Sequence, residues 1–155
     1  MYFGINLVKL DPKGRVAIPA RHREGLRSSG GSRVAVTIHP TGESCLWLFP
    51  WSEWEKTSTE VANLPSLNKQ YAQLQRLLFM NMFELEVDGQ GRILLPQKLR
   101  AHAGLEAGEQ IAIVGQGRKL EIWSQQMAQQ IEEENMQALQ DPDSEISAEI
   151  QNLNL

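Results

Sequence analysis

A chain of 155 residues with 41% hydrophobic, 22% charged and 6% aromatic side chains has a globular composition, and its length allows one ordinary domain or two small intertwined ones. No apolar run approaches the roughly 18 residues that span a bilayer, and the start, Met1-Tyr2-Phe3-Gly4-Ile5-Asn6, lacks the basic and apolar stretches of a secretory signal, so the expected address is the cytoplasm. The net charge of −4 argues against nucleic acid only until it is resolved along the chain: residues 1–50 carry seven basic and three acidic side chains, whereas 124–155 carry none and seven.

In chain order, Val8 and Leu10 alternate with polar neighbours, the period of a half-buried strand. Asp11-Pro12-Lys13-Gly14-Arg15 follows as a turn in which Gly14 takes a positive φ and the Asp11 carboxylate bonds nearby amides. Pro19 opens a helix of about two turns, Gly30-Gly31 ends it, and the apolar runs 34–38 and 46–49 read as strands. Between them, Cys45 reads as a small semi-buried hydrophobe, since a lone cysteine makes neither an internal disulfide nor a zinc cluster. Ser52-Glu53-Trp54-Glu55 has the spacing of a capping box and predicts a helix to about Leu64, before Pro65. A second helix from near Ser66 carries Leu67, Tyr71, Leu74, Leu77 and Leu78 on one face, which fits packing against its own sheet and a subunit contact equally well.

The pattern then restarts. Phe83, Leu85 and Val87 alternate, and Leu10 to Pro19 recurs as Val87-Asp88-Gly89-Gln90-Gly91-Arg92-Ile93-Leu94-Leu95-Pro96 at an offset of 77 residues. The offset carries Arg23 onto Arg100 and Val34-Ala35-Val36 onto Ile111-Ala112-Ile113, then drops to 74 between Leu46-Trp47-Leu48-Phe49 and Leu120-Glu121-Ile122-Trp123, so one turn is three residues shorter. The expected organisation is a first half over 5–52, a helical connector over 53–80, a second half over 81–124, and a tail over 125–155 that begins helical and becomes acidic and disordered. The fold class is mainly β with short helices, α+β.

Catalytic chemistry is thinly represented. His22, His39 and His102 share no metal-ligand spacing, His22 and His102 read as surface or capping residues of the two short helices, and no nucleophile elbow, phosphate loop or dinucleotide fingerprint occurs. Asp11 and Asp88 would approach each other under a pseudo-two-fold, but Arg15 and Arg92 four residues on hold each ionised, so these acids read as loop staples and the chain as no enzyme, with no cofactor and no small-molecule substrate. The basic residues near the loops, Lys9, Lys13, Arg15, Arg21, Arg23 and Arg27, with Arg92, Lys98 and Arg100 in the second copy, suit phosphate and base-edge contacts, although a charge run by itself is a weak signal and is usually a solvated face.

Asp11-Pro12-Lys13-Gly14-Arg15-Val16-Ala17-Ile18-Pro19-Ala20, Leu46-Trp47-Leu48-Phe49-Pro50 leading into Ser52-Glu53-Trp54, and Asp88 to Pro96 together resemble the MraZ family of the AbrB-like (SpoVT-AbrB) group, over about residues 1 to 125. That resemblance implies two AbrB-type halves interlocked as a swapped-hairpin β-barrel, chains assembled as a homo-oligomeric ring, and nucleoid-associated binding of double-stranded DNA at repeated promoter sites. The genes it implies are the chain's own and the division and cell-wall cluster that follows, usually repressed. Matched to the family motif, Arg15 and Arg92 are the expected DNA contacts and Asp11 and Asp88 the motif acids, with Gly14 and Gly91 completing the loops; charge adds Lys13, Arg21, Arg23, Lys98 and Arg100. Copy two has Gln90 where copy one has Lys13, so its loop is less basic; the chain departs from the family in Ile38-His39-Pro40-Thr41-Gly42-Glu43, which lacks the expected arginine-bearing turn, and in an acidic tail after Ser124 longer than the family core requires. An antitoxin-like module whose acidic tail binds a protein partner is the competing reading.

Overall fold

The computed structural model describes the whole chain, residues 1–155. Copy one supplies β1 (Ile5–Lys9), β2 (Arg15–Ala17), α1 (Ala20–Gly30), β3 (Arg33–Ile38) and β4 (Leu46–Pro50); α2 (Trp51–Ala62) and α3 (Lys69–Met80) follow. Copy two supplies β5 (Phe83–Glu86), β6 (Arg92–Leu94), α4 (Gln97–Ala103), β7 (Gln110–Gly115) and β8 (Leu120–Ser124), with α5 (Gln125–Gln140) and α6 (Ala148–Gln151) after it.

The copies interleave. Six strands form one antiparallel sheet in the order β1-β7-β8-β4-β3-β5, so each copy's first strand lies on the other copy's hairpin, and β2 pairs with β6 as a separate ribbon. Val16 faces Ile93 across the ribbon and Trp47 faces Glu121 across β4 and β8. Both are repeat-equivalent pairs, so a pseudo-two-fold axis runs through them. The closed barrel implied by the resemblance is not formed by hydrogen bonds: β1 and β5 are the free ends of the sheet, and the ribbon lies across its inner face instead.

Nineteen buried side chains fill the space between the sheet, the ribbon, α1 and α4, among them Leu10, Ile18, Leu48, Ile93, Leu95, Leu99, Ile113 and Ile122. Alternation puts Val34 and Val36 into this core and turns Ala35 and Thr37 to the other face, where α2, α3 and α5 pack.

Several local expectations are corrected. The capping box does not form: Pro50 is the cap residue of α2, Ser52 Oγ meets Ser29 Oγ, and Glu55 is taken by the Trp51 indole at 2.9 Å. Proline at this position fixes φ at −53°, which starts the helix a residue before Ser52. Similarly α1 runs to 11 residues, longer than two turns, while α4 has seven. The connector's second helix starts only at Lys69, capped by the Asn68 side chain. His22 is not a surface residue. At the 77-residue offset its counterpart is Leu99, and it takes the same core position against Tyr2, ring centroids 5.4 Å apart, its Nε2 without a partner. Burial, then Arg21, pushes its pKa down, so the ring is held neutral. Its supposed partner His102 does lie on the surface. Cys45 is fully rather than partly buried, beside Ala112, Trp123 and Ala128. In the tail, α6 forms where composition predicts no regular structure, with Ser147 accepting the Ile150 amide.

Two measurements check this packing. Ile113→Asp places a carboxylate at a position with no solvent exposure and should cost about 4 kcal/mol or more, abolishing the cooperative thermal transition. Leu85→Asp, half-buried on the edge strand β5, should unfold the protein at a smaller cost. The Cys45 thiol, whose pKa is pushed strongly up by burial and then by Glu121 and Glu43, should resist a thiol-disulfide reagent in the native state and react at once in denaturant.

Candidate nucleic-acid interface

Each Asp-x-x-Gly-Arg loop is closed by its own aspartate. Asp11 Oδ1 accepts the amides of Lys13 at 2.9 Å and Arg15 at 2.8 Å, and Oδ2 accepts Arg15 Nε at 2.7 Å. Asp88 repeats this with Gln90 and Arg92 amides, both at 2.9 Å, and Arg92 Nε at 3.1 Å. The amide bond from Arg15, then the other bonds within the loop, holds the Asp11 carboxyl below the usual range, and Arg92 does the same for Asp88. An acid held ionised in this way is unsuited to sharing a proton, which removes the dyad as a catalytic device. Gly14 and Gly91 turn the chain at φ of +87° and +76°, where a side chain would be strained.

The two loops are locked to each other. Ile18 donates its amide to Gly91 O at 2.8 Å and Leu95 donates to Gly14 O at 3.0 Å. Over each loop lies an arginine from the opposite copy: Arg23 packs against Gly91, with Nε donating to Ile18 O at 2.8 Å, and Arg100 packs against Gly14, with Nε donating to Leu95 O at 3.0 Å. A side chain larger than hydrogen at either glycine would run into the guanidinium. Arg23 and Arg100 therefore act as positioning residues for the loops, with only their Nη groups left to face a ligand.

Arg15 faces Leu94 across the ribbon and Ala17 faces Arg92, while Val16 and Ile93 point into the core. Arg15 and Arg92 thus share the outward face on a diagonal, with Cα atoms about 7–8 Å apart. Their side chains are 32% and 30% exposed, and each has its Nε tied to its own aspartate while both Nη groups remain without a protein partner. Lys13 is exposed on the first loop, and Gln90, its neutral counterpart, on the second. Arg21 and Lys98, equivalent by the 77-residue offset, are exposed on the first turns of α1 and α4, Arg21 lying against Gly4. Of the seven basic residues expected as DNA contacts, Lys13, Arg15, Arg23, Arg92 and Arg100 therefore lie on or against the loop pair, whereas the Arg21 guanidinium lies at the Gly4 end of β1 and Lys98 on the exposed side of α4. Leu94 was not singled out: 56% exposed, it faces Arg15 across the ribbon and adds an apolar surface beside the two arginines. Its signal was the inward alternation of Ile93 and Leu95, which leaves Leu94 outside.

The MraZ family model, described as "MraZ protein, putative antitoxin-like", matches residues 1–77 and again 78–148. A transcriptional regulator MraZ from Methylococcus capsulatus is 40% identical over 153 residues, covering 96% of this chain and 98% of that one. Those of Halorhodospira halophila and Marinomonas sp. are 38% and 43% identical, covering 100% and 97% of this chain and 100% and 99% of theirs. Among solved structures, the solution structure of PHS018 from Pyrococcus horikoshii covers 80% of this chain and 96% of that one at a TM-score of 0.36 and 16% identity, too distant to bear on the fold. Two successive matches to one model, with relatives at this identity over nearly the whole length, establish that the chain belongs to the MraZ family, a family of transcriptional regulators rather than enzymes.

Proposed function

We propose that this chain is a sequence-specific DNA-binding transcriptional regulator that represses its own gene and the division and cell-wall cluster that follows. The carrying observation is the locked loop pair that sets Arg15 and Arg92 side by side on one face with four unpartnered Nη groups. The halves 5–52 and 81–124 act as one swapped-hairpin unit on duplex DNA. Arg15, Arg92 and Leu94 read base edges, and Lys13, Arg21, Arg23, Lys98 and Arg100 contact phosphates. Assembly of several chains, in a ring, presents this face repeatedly to repeated sites. Linking modest sites in this way raises binding by roughly 10²–10⁴ when the geometry allows simultaneous engagement. No cofactor takes part, and the place of action is the nucleoid.

A second reading, an antitoxin-like module, draws on the wording of the family description and on the seven acids after Ser124. A small basic protein that co-purifies and releases with salt would favour it.

The deciding measurement is fluorescence anisotropy on a duplex from upstream of the chain's own gene, against a scrambled duplex, through a salt series. The regulator reading requires tight binding to the first only, with log affinity falling by about 0.9 per phosphate neutralised for each unit of log salt. Equal binding to both duplexes, or none, would remove it. Arg15→Ala should lose about 1–3 kcal/mol of specific binding with its thermal midpoint nearly unchanged. Arg23→Ala should lower that midpoint as well, because it frees the Gly91 loop.

A further inference from the structure

The 77-residue offset sets the surroundings of the two loops side by side. Beside the second loop, Val87 donates its amide to Ser32 O at 2.7 Å; beside the first, Leu10 donates to Glu109 O at 3.0 Å. The backbone framework is the same on both sides, so what distinguishes them is side chain. Three differences fall together. Arg27 on α1 stands where the other copy has Gly104, Ser32 where it has Glu109, and Gly89 where it has Pro12. With Arg23 and the Gly91 against which it packs, these residues line a pocket of about 260 Å³ between the end of α1 and the Asp88 loop.

The pocket has donors to spare and no free carboxylate. Arg27 is exposed and takes part in none of the ion pairs of the chain. Arg23 commits Nε to Ile18 O and keeps its Nη groups free. The Gly89 amide has no acceptor within the chain, and Ser32 adds an exposed hydroxyl. Asp88, the one acid on the wall, accepts the Gln90 and Arg92 amides and Arg92 Nε, so both its oxygens are engaged. Two guanidinium groups four residues apart on one helix repel each other, and an anion between them relieves the repulsion. Arg27 stands in the last turn of α1, where its charge also offsets the negative end of that helix. None of this recurs at the first loop: Gly104 has no side chain, Pro12 has no amide hydrogen, and Glu109 brings negative charge.

We propose that this pocket seats one phosphodiester of the DNA backbone, held by Arg27, the Nη groups of Arg23 and the Gly89 amide. The loop that forms its wall also carries Arg92 on the outward face, so a duplex that meets Arg92 runs its backbone past the same loop. The proposal rests on the DNA-binding reading above and gives a role to Arg27, which stands outside the loop motif. It also breaks the pseudo-two-fold. Arg15 and Arg92 alone present a nearly symmetric face that accepts a duplex in either direction. A fixed phosphate seat beside the second loop, opposite the mobile Lys13 of the first, selects one direction.

Anisotropy in the full-length protein, on the chain's own upstream duplex and on a scrambled one through a salt series, tests the seat. Arg27→Gln should weaken binding to both duplexes by about tenfold and lower the slope of log affinity against log salt by about 0.9 for each chain bound, with the preference between duplexes kept. Gly89→Pro, which copies the first loop at a position of ordinary φ with open space around it, should weaken both by about threefold at an unchanged slope, because it removes a donor and no charge. A scan of single neutral methylphosphonate linkages should find one whose introduction weakens the wild type and leaves Arg27→Gln unaffected. Wild-type affinity and slope in Arg27→Gln, a loss confined to the native duplex, or a scan without such a linkage would each overturn the seat while leaving the regulator reading in place. Equal binding of the wild type to both duplexes would remove the sequence-reading function but not the seat, and binding to neither would remove both.

Discussion

Two backbone hydrogen bonds, Ile18 N–H to Gly91 O and Leu95 N–H to Gly14 O, tie each copy's strand to the other copy's loop, and the rest of the molecule depends on that reciprocity. The bonds set the register of the β2–β6 ribbon, which puts Val16 and Ile93 into the common core and Arg15 and Arg92 on its outside. A slip of one residue would exchange those faces, burying two guanidinium groups and exposing two branched side chains. The ribbon has only three residue pairs, too few to hold a register alone. The arginines lying over the glycines supply what is missing. Arg23 and Arg100 each bond a carbonyl of their own copy while packing against the opposite loop. Neither copy can therefore complete its loop without the other, and the same holds for the sheet, where β1 and β5 find partners only across the repeat.

Duplication has not left the two halves equal. At the axis the equivalent positions Trp47 and Glu121 face each other, and an aromatic donor meets a buried carboxylate. Glu121 accepts indole N–H groups from Trp47 at 3.0 Å and Trp123 at 3.1 Å, so both its oxygens are satisfied without a full ion pair. Lys119 lies over the Trp47 ring at 4.4 Å and offsets the charge from the open side. Two identical residues could not make this contact: two glutamates would repel, and two tryptophans would leave their N–H groups competing for water. The halves differ again on either side of the axis, where copy one is covered by two helices and copy two by one.

Much of this was legible in the residues because the signals are local. The Asp-x-x-Gly-Arg spacing forecasts a loop closed by its own aspartate, and both copies form it with the same donors. What the sequence leaves open is which partner each element takes. Period-2 alternation shows that β1 buries one face but not that its neighbour is β7, about a hundred residues away. Charge alone placed Arg23 and Arg100 with the DNA contacts, whereas their Nε atoms are engaged in holding the loops, a role visible only once both copies are in place. His22 looked like a surface histidine until the repeat offset set it beside Leu99, a core position. The capping box at Ser52 failed because Trp51 competes for Glu55, a contact that spacing does not reveal.

The same bonds that fix the fold bear on how the outer face would meet a ligand. A free arginine carries about 2 kcal/mol of rotamer entropy, part of which is lost when it binds. In Arg15 and Arg92 the Nε tie to the aspartate orders the side chain up to its last planar group and leaves the two Nη atoms outward. Ordering then happens on folding rather than on contact, and the fork arrives already oriented. The aspartate also lowers the net charge of each loop, so the pair is poor as a bare electrostatic attractor and better suited to a directional contact. Lys13, Arg21 and Lys98, exposed and without carboxylate partners, have the complementary property of mobile, unneutralised charge. A surface that places two oriented forks side by side with the free cation Lys13 on the first loop separates geometric selection from general attraction, and the asymmetry between Lys13 and Gln90 gives the first loop the larger share of the attraction.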